Sequence, residues 1–156
     1  MKILERVNIM NNNTNGSGNC INEILSVIFV LQENACCDTA LDSCDRPMLG
    51  GSANCLVCNT RPVMLYTCSS NGIPWSMPTT KDATTNCSGE PITTNCSTVF
   101  RVEKLEGNCC TFRVLADNPD ETSLNPFVAT NSFFTMDCDC LCAIRCLNDC
   151  NVDCVC

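Results

Sequence analysis

Seven cysteines crowd the last nineteen residues of this chain, at Cys138, Cys140, Cys142, Cys146, Cys150, Cys154 and Cys156, every one at an even position. Nothing else in the sequence restricts the fold as strongly. Residues two apart on an extended strand share a face, so an unbroken strand would line these sulfurs along one side. If the later half were helical, Cys142, Cys146, Cys150 and Cys154 would form an i, i+4 stripe instead. Neither geometry lets neighbouring sulfurs bond each other. A disulfide needs β-carbons about 3.8 Å apart, whereas same-face strand neighbours lie roughly 6.5–7 Å apart and i, i+4 helix neighbours about 5–6 Å. Unless a turn interrupts it, the segment must pair its sulfurs with another part of the fold or with another molecule.

The rest of the chain is large enough not to need so many staples. Its 156 residues suit one domain with a real core, yet it carries 18 cysteines. An internal disulfide contributes about 2–4 kcal/mol, and nine would far exceed the roughly 5–15 kcal/mol that holds an ordinary domain together. The excess implies contacts beyond the fold, and with them mechanical or chemical resistance. The even count permits full internal pairing without revealing its connectivity.

Charge and composition remove several function classes. A net charge of −8 with only nine Lys and Arg argues against nucleic-acid binding. Histidine is absent, which excludes serine–histidine and cysteine–histidine hydrolase schemes and removes the commonest nitrogen ligand for a metal. The opening residues Met1-Lys2-Ile3-Leu4-Glu5-Arg6-Val7 lack the apolar core of a signal peptide, and no apolar run approaches the roughly 20 residues needed to span a membrane. The expectation is synthesis in a reducing cytosol, where stable disulfides are rare. Two situations reconcile that with the cysteine count: oxidation after the surroundings change, or thiolates that hold a metal.

Along the chain, residues 1–19 read as a flexible arm, with the tract Asn11-Asn12-Asn13-Thr14-Asn15-Gly16-Ser17-Gly18 at its centre and Met10 as an alternative start. Residues 20–156 read as a single domain whose tail, 138–156, holds the cysteine run. Asn19 is placed to cap a helix from Cys20 to about Glu33, with Ile21, Ile24, Leu25, Ile28 and Leu31 at helical spacing. Val27, Phe29 and Val30 widen that arc, which predicts burial on more than one side. Cys36 and Cys37 open an Asp-rich loop. Val63 to Cys68 reads as a strand, and Asn71-Gly72 is a hairpin-turn dipeptide leading to Ile73-Pro74-Trp75. A second hairpin alternates Phe100 and Val102 with charged residues, turns near Glu106-Gly107-Asn108, and returns through Phe112 and Val114. The adjacent Cys109 and Cys110 point to opposite faces of that hairpin, so at least one can face outward. Val128 to Met136 predicts a last strand feeding the tail. The fold class is therefore mainly β, a compact β-sandwich-like domain with one N-terminal α-helix and a Cys-rich C-terminal segment.

No convincing active site emerges. There is no Gly-rich phosphate loop, and no pair of carboxylates can be placed together. Cys55-Leu56-Val57-Cys58 is the one CxxC, whereas a structural zinc site usually needs a second pair or histidines. No catalytic, cofactor-binding or metal residue is assigned.

Five segments in order carry a resemblance. They are Asn59 to Thr67, Gly72 to Trp75, Phe100 to Glu103, Cys110 to Leu115, and Cys138 to Asp149. Together with the helix ahead of them they resemble the spore coat protein Y and Z family, which includes basal-layer proteins of the exosporium, over residues 20 to 149. The resemblance implies a non-enzymatic structural protein of sporulation, made in the mother cell and placed in an outer layer of the spore (coat, crust or exosporium). It implies self-assembly of identical subunits into a two-dimensional, hexagonal lattice hardened by disulfides, with other coat or exosporium proteins as partners and neither nucleic acid nor membrane. On this reading the cross-linking cysteines are those of the tail, namely Cys138, Cys140, Cys142, Cys146, Cys150, Cys154 and Cys156, with Cys20, Cys36, Cys37 and Cys109 as second partners. Two rival readings stand beside it: a thiolate metal-binding protein, and a thiol oxidoreductase centred on Cys55 and Cys58.

Overall fold

The computed structural model describes residues 19–35, 58–88 and 95–156. The expected arm, apart from Asn19, and the candidates Cys36 and Cys37 lie outside the described residues. Helix α1 runs Cys20–Ala35 and begins as the sequence predicts. The Asn19 Oδ1 accepts the Ile21 N–H at 3.1 Å, satisfying one of the amides that a helix start leaves without an internal partner. Its Nδ2 donates to the Cys138 carbonyl at 3.1 Å, so the cap also ties the helix to the cysteine tail.

Ile21, Leu25, Ile28 and Gln32 form the buried stripe of α1. The predicted burial on more than one side does not occur: Ile24, Val27 and Leu31 are 43%, 56% and 47% exposed. The sheet covers one flank of the helix, and no described segment lies over the other.

That sheet has five antiparallel strands in the order β6-β5-β4-β1-β7. They are β1 (Val63–Thr67), β4 (Phe100–Glu106), β5 (Cys109–Asp117), β6 (Phe127–Asp137) and β7 (Leu141–Cys146), while β2 (Met77–Pro78) and β3 (Cys96–Ser97) form a separate two-stranded ribbon. The layer facing the sheet is thus α1, and the second sheet is only this short ribbon. Both predicted turns are present. Asn71 and Gly72 take φ of 52° and 81°, and Gly107 takes 57° between β4 and β5, in the left-handed region where glycine carries no steric penalty.

Alternation along the strands produces the core. Val63 and Leu65 of β1, Phe100 and Val102 of β4, and Cys110, Phe112 and Val114 of β5 are fully buried with the helix stripe. Phe134 of β6 closes the cluster, edge-on to Phe100 at 4.9 Å and stacked on Phe112 at 5.4 Å between ring centroids. A smaller cluster of Leu115, Cys150 and Val152 seats the tail.

Two polar devices hold these layers. Arg101 and Arg113 face each other directly across β4 and β5, a like-charge pair that would oppose the sheet. Glu103 bridges the two and offsets their repulsion, at 3.0 Å from the Arg101 Nη1 and 2.8 Å from the Arg113 Nε. The second device is Gln32, 3% exposed on α1. Its Nε2 donates to the Val102 carbonyl at 2.8 Å, and its Oε1 accepts the Arg61 N–H at 3.2 Å. Replacing Gln32 with Leu leaves both backbone groups unpaired, at about 1–3 kcal/mol for each buried group. The Gln32→Leu protein should therefore lose about 2 kcal/mol or more in urea unfolding with an unchanged m-value. A midpoint equal to that of the wild type would show that the amide does not join helix and sheet.

Candidate functional site

Three bridges are internal staples, and strand register explains them. Cys68 follows β1 directly, and β7 runs antiparallel beside it. A bulge opposite Tyr66 and Thr67 makes Cys142 the extra residue of β7, and the two join with Cα atoms 5.0 Å apart. Cys110 is the inward member of the adjacent pair on β5, and bonds Cys138 with Cα atoms 5.7 Å apart. Cys138 reaches it because the chain leaves β6 through a 3-10 turn, Cys138–Cys140, whose first N–H donates to the Asn108 carbonyl at 2.7 Å. Cys87 and Cys96 close the polar connection between the hairpins. Cys156 is disulfide-bonded as well.

The seven tail sulfurs therefore do not share one face. A 3-10 turn precedes β7, a bulge interrupts it, and the chain leaves the sheet after Cys146, so the even spacing never becomes one unbroken strand. Among the cross-linking candidates, Cys138, Cys142 and Cys156 are already bonded, which removes them from the set open to another chain unless these bonds exchange.

The unpaired thiols among the described residues are Cys20, Cys58, Cys109, Cys140, Cys146 and Cys154, all exposed, and Cys150, which is buried. Three of them are gathered at one end of the sheet by a single carboxylate. Asp139 accepts from the Asn19 Nδ2 at 3.4 Å and from the Asn108 Nδ2 at 3.3 Å. Those three residues immediately precede Cys140, Cys20 and Cys109 in sequence. Cys20 also lines a surface cleft of about 370 Å³ with Cys146, and Ile24 and Val27 lie in the same cleft. Two free thiols thus flank the uncovered apolar flank of α1. Among the described residues no group of three or more Cys, Asp or Glu is placed to hold a metal ion.

Cys150 and Cys58 sit where the tail meets the lead-in to β1. The Asn59 and Thr60 N–H groups both donate to the Cys150 carbonyl at 3.1 Å, and the Cys150 N–H returns to the Thr60 carbonyl at 3.0 Å. Arg61 grips Asp149 with two hydrogen bonds of 2.7 and 2.8 Å, which hold that carboxyl below its ordinary range. Burial pushes the Cys150 thiol from the ordinary 9.0 up to about 11, with the nearby Cys58 and Asp149 adding to the rise. Cys58 was read in sequence only as half of the CxxC. Its place beside the tail depends on a bridge between Thr60 and Cys150, ninety residues apart in sequence, which no local pattern signals.

The family model for spore coat protein Z matches residues 9–126. The chain belongs to that family. No curated protein and no solved structure matches it. The match takes in α1 and β1 through β5, and it ends before β6 and the cysteine tail. Membership makes this a structural protein of the spore coat, located in an outer layer of the spore, and disulfides are part of its fold. Among the described residues of this spore coat protein, no helix is long and apolar enough to cross a membrane.

Thiol exposure and ionisation predict an order of reactivity. At pH 8 a thiol titrating at about 11 holds roughly a hundredth of the thiolate of one at 9.0. Under iodoacetamide at pH 8, peptide mass spectrometry should find Cys150 alkylated after every other unpaired thiol among the described residues. Its rate should climb as the pH rises toward 11. Early labelling of Cys150 at pH 8 would contradict its burial.

Proposed function

We propose that this spore coat protein is a self-assembling unit of a two-dimensional layer in which surface thiols oxidise to intermolecular disulfides. The observation that carries the reading is the division of its cysteines. Among the described residues, three bridges join segments within the fold, while six exposed thiols stay unpaired on an already folded surface. Folded subunits dock first through ordinary contacts, which brings exposed sulfurs into register. Each pair of thiols then loses two electrons and two protons to an oxidant such as molecular oxygen, and one S–S bond forms.

The apolar flank of α1 supports this order of events. Ile24, Val27 and Leu31 offer a surface to bury, and Cys20 and Cys146 lie where a docked neighbour would meet them. Cys109 and Cys140 supply a second position at the Asp139 end, and Cys154 a third on the tail. On this reading the layer has hexagonal symmetry, joins other coat or exosporium proteins, and is built from chains made in the mother cell. Assembly from a reduced cytosol followed by oxidation in place accounts for a cysteine-rich chain of this size.

Serine replacements separate assembly from hardening. With Cys20, Cys58, Cys109, Cys140, Cys146 and Cys154 changed together, negative-stain electron microscopy should still show ordered sheets. Those sheets should dissolve in urea without reductant, whereas wild-type sheets should need both. Sheets of the variant that resist urea alone would remove the exposed thiols from the cross-link. Monodisperse small particles of the wild type, with or without reductant, would overturn self-assembly.

A further inference from the structure

Among the described residues, the five-stranded sheet ends in two edge strands, β7 and β6, each with one side unpaired. An open edge can add a strand from another chain, and proteins normally block it with short length, charge, proline or a bulge. β7 is blocked: it is six residues long, carries Arg145 and holds the bulge beside Tyr66 and Thr67. β6 is eleven residues long and contains no Lys, Arg or Pro, with Asp137 as its only charge. Its first half is guarded, because the register with β5 shifts between Ala129 and Phe133. There the Thr130 carbonyl accepts from the Arg113 Nη1 at 3.1 Å, and the Ser132 N–H donates to the Thr130 Oγ1 at 3.1 Å. From Phe133 to Asp137 the ladder is regular, and no described segment bonds its outer side.

The direction of the free groups follows from the ladder. Cys109 lies opposite Asp137, and just beyond that pair the Cys138 N–H donates to the Asn108 carbonyl. An antiparallel ladder alternates bonded and non-bonded pairs. Phe134 and Met136 therefore send their backbone groups to β5, while Phe133, Thr135 and Asp137 send theirs outward. Side chains alternate as well. Phe134 and Met136 pack on the core side. Phe133, 44% exposed, stands on the other side with Thr135 and Asp137, and the Arg113 guanidinium carbon lies 4.4 Å from its ring centroid.

A second copy running antiparallel about a two-fold axis at Thr135 complements this stretch at every position. Thr135 meets its own counterpart and exchanges both backbone bonds with it, a pair whose Cα atoms lie about 5.5 Å apart. Phe133 meets the second copy's Asp137, which sets a carboxylate against the ring that carries Arg113. On the core side Phe134 meets Met136, an aromatic ring against a thioether. An axis at Phe134 or Met136 would lose the match of Phe133 with Asp137. The edge is thus self-complementary in backbone, charge and apolar surface, as a two-fold contact requires.

We propose that β6 is a self-docking edge, where two copies of this chain pair Phe133 to Asp137 antiparallel and continue their sheets into one. A pairing this short falls below the roughly 1,200–2,000 Å² of a stable interface, so it acts as one of several contacts in an assembly. It deepens the proposed self-assembly and uses none of its thiols. The full-length protein with Cys20, Cys58, Cys109, Cys140, Cys146 and Cys154 replaced by Ser receives one new sulfur at a time, as Thr135→Cys, Phe133→Cys or Thr122→Cys. Each is oxidised with copper phenanthroline and mapped by peptide mass spectrometry. Two sulfurs on the axis fall within the Cα range of a disulfide, about 4.4–6.8 Å. Two at Phe133 stand about 13 Å apart, and Thr122 is an exposed loop control. Thr135→Cys should link to itself at least about tenfold faster than either of the others. Should Thr135→Cys fail to fold, Phe133→Cys mixed with Asp137→Cys should link across chains, and no such link overturns the pairing. Thr135→Cys linking no faster than Thr122→Cys overturns the proposal. Self-linking of Phe133→Cys as fast as Thr135→Cys overturns the axis and its register. Electron microscopy of the same samples separates this contact from the layer. Linked dimers without sheets uphold the edge and overturn the layer, and ordered sheets without the link do the reverse.

Discussion

A single buried amide sets where the helix of this protein sits. Gln32 spends its donor on the Val102 carbonyl of β4 and its acceptor on the Arg61 N–H ahead of β1. Both are backbone groups, so the helix is keyed to the sheet at a fixed rotation as well as a fixed position. That rotation turns Ile21, Leu25 and Ile28 into the core and leaves Ile24, Val27 and Leu31 outside. It also places Cys20 beside the cleft that Cys146 shares. An apolar interface alone would tolerate some sliding, because the hydrophobic effect is non-directional; the amide removes that freedom.

The same logic divides the cysteines. Sulfurs that the register brings within bonding distance become staples: Cys110 faces the core and finds Cys138, and the bulge of β7 hands Cys142 to Cys68. Exposed sulfurs that the register leaves without a partner, such as Cys20, Cys109, Cys140 and Cys146, are the ones a neighbouring subunit can reach. A structural coat protein benefits from both classes, since the staples keep each unit folded while the exposed thiols remain chemically available. Cys150 belongs to neither. It is a buried thiol whose burial suppresses the thiolate, and its backbone clamps the tail to Asn59 and Thr60.

Much of this was legible from residue order. The Asn19 cap, the turns at Asn71-Gly72 and near Gly107, and the opposed faces of Cys109 and Cys110 follow from local stereochemistry, and the structure shows each of them. The tail misled because its even spacing is a strand pattern only while a strand continues. Asp137 accepts the Asp139 N–H and starts a 3-10 turn, and β7 then gains a bulge from its pairing with β1. The helix misled for a related reason. A wide apolar arc states what could be buried, whereas the number of layers around it decides what is.

The sequence by itself determined the main element types and the presence of more sulfur than a domain of this size requires, because periodicity, turn chemistry and composition are local quantities; the residues in order along 9–126 placed it in its family. Only the tertiary structure decided which described sulfurs are staples and which are free, and that Asp139 gathers Cys20, Cys109 and Cys140 at one end. These are facts of register and packing between segments far apart in the chain. They are settled by where whole strands align, which no single stretch of residues encodes.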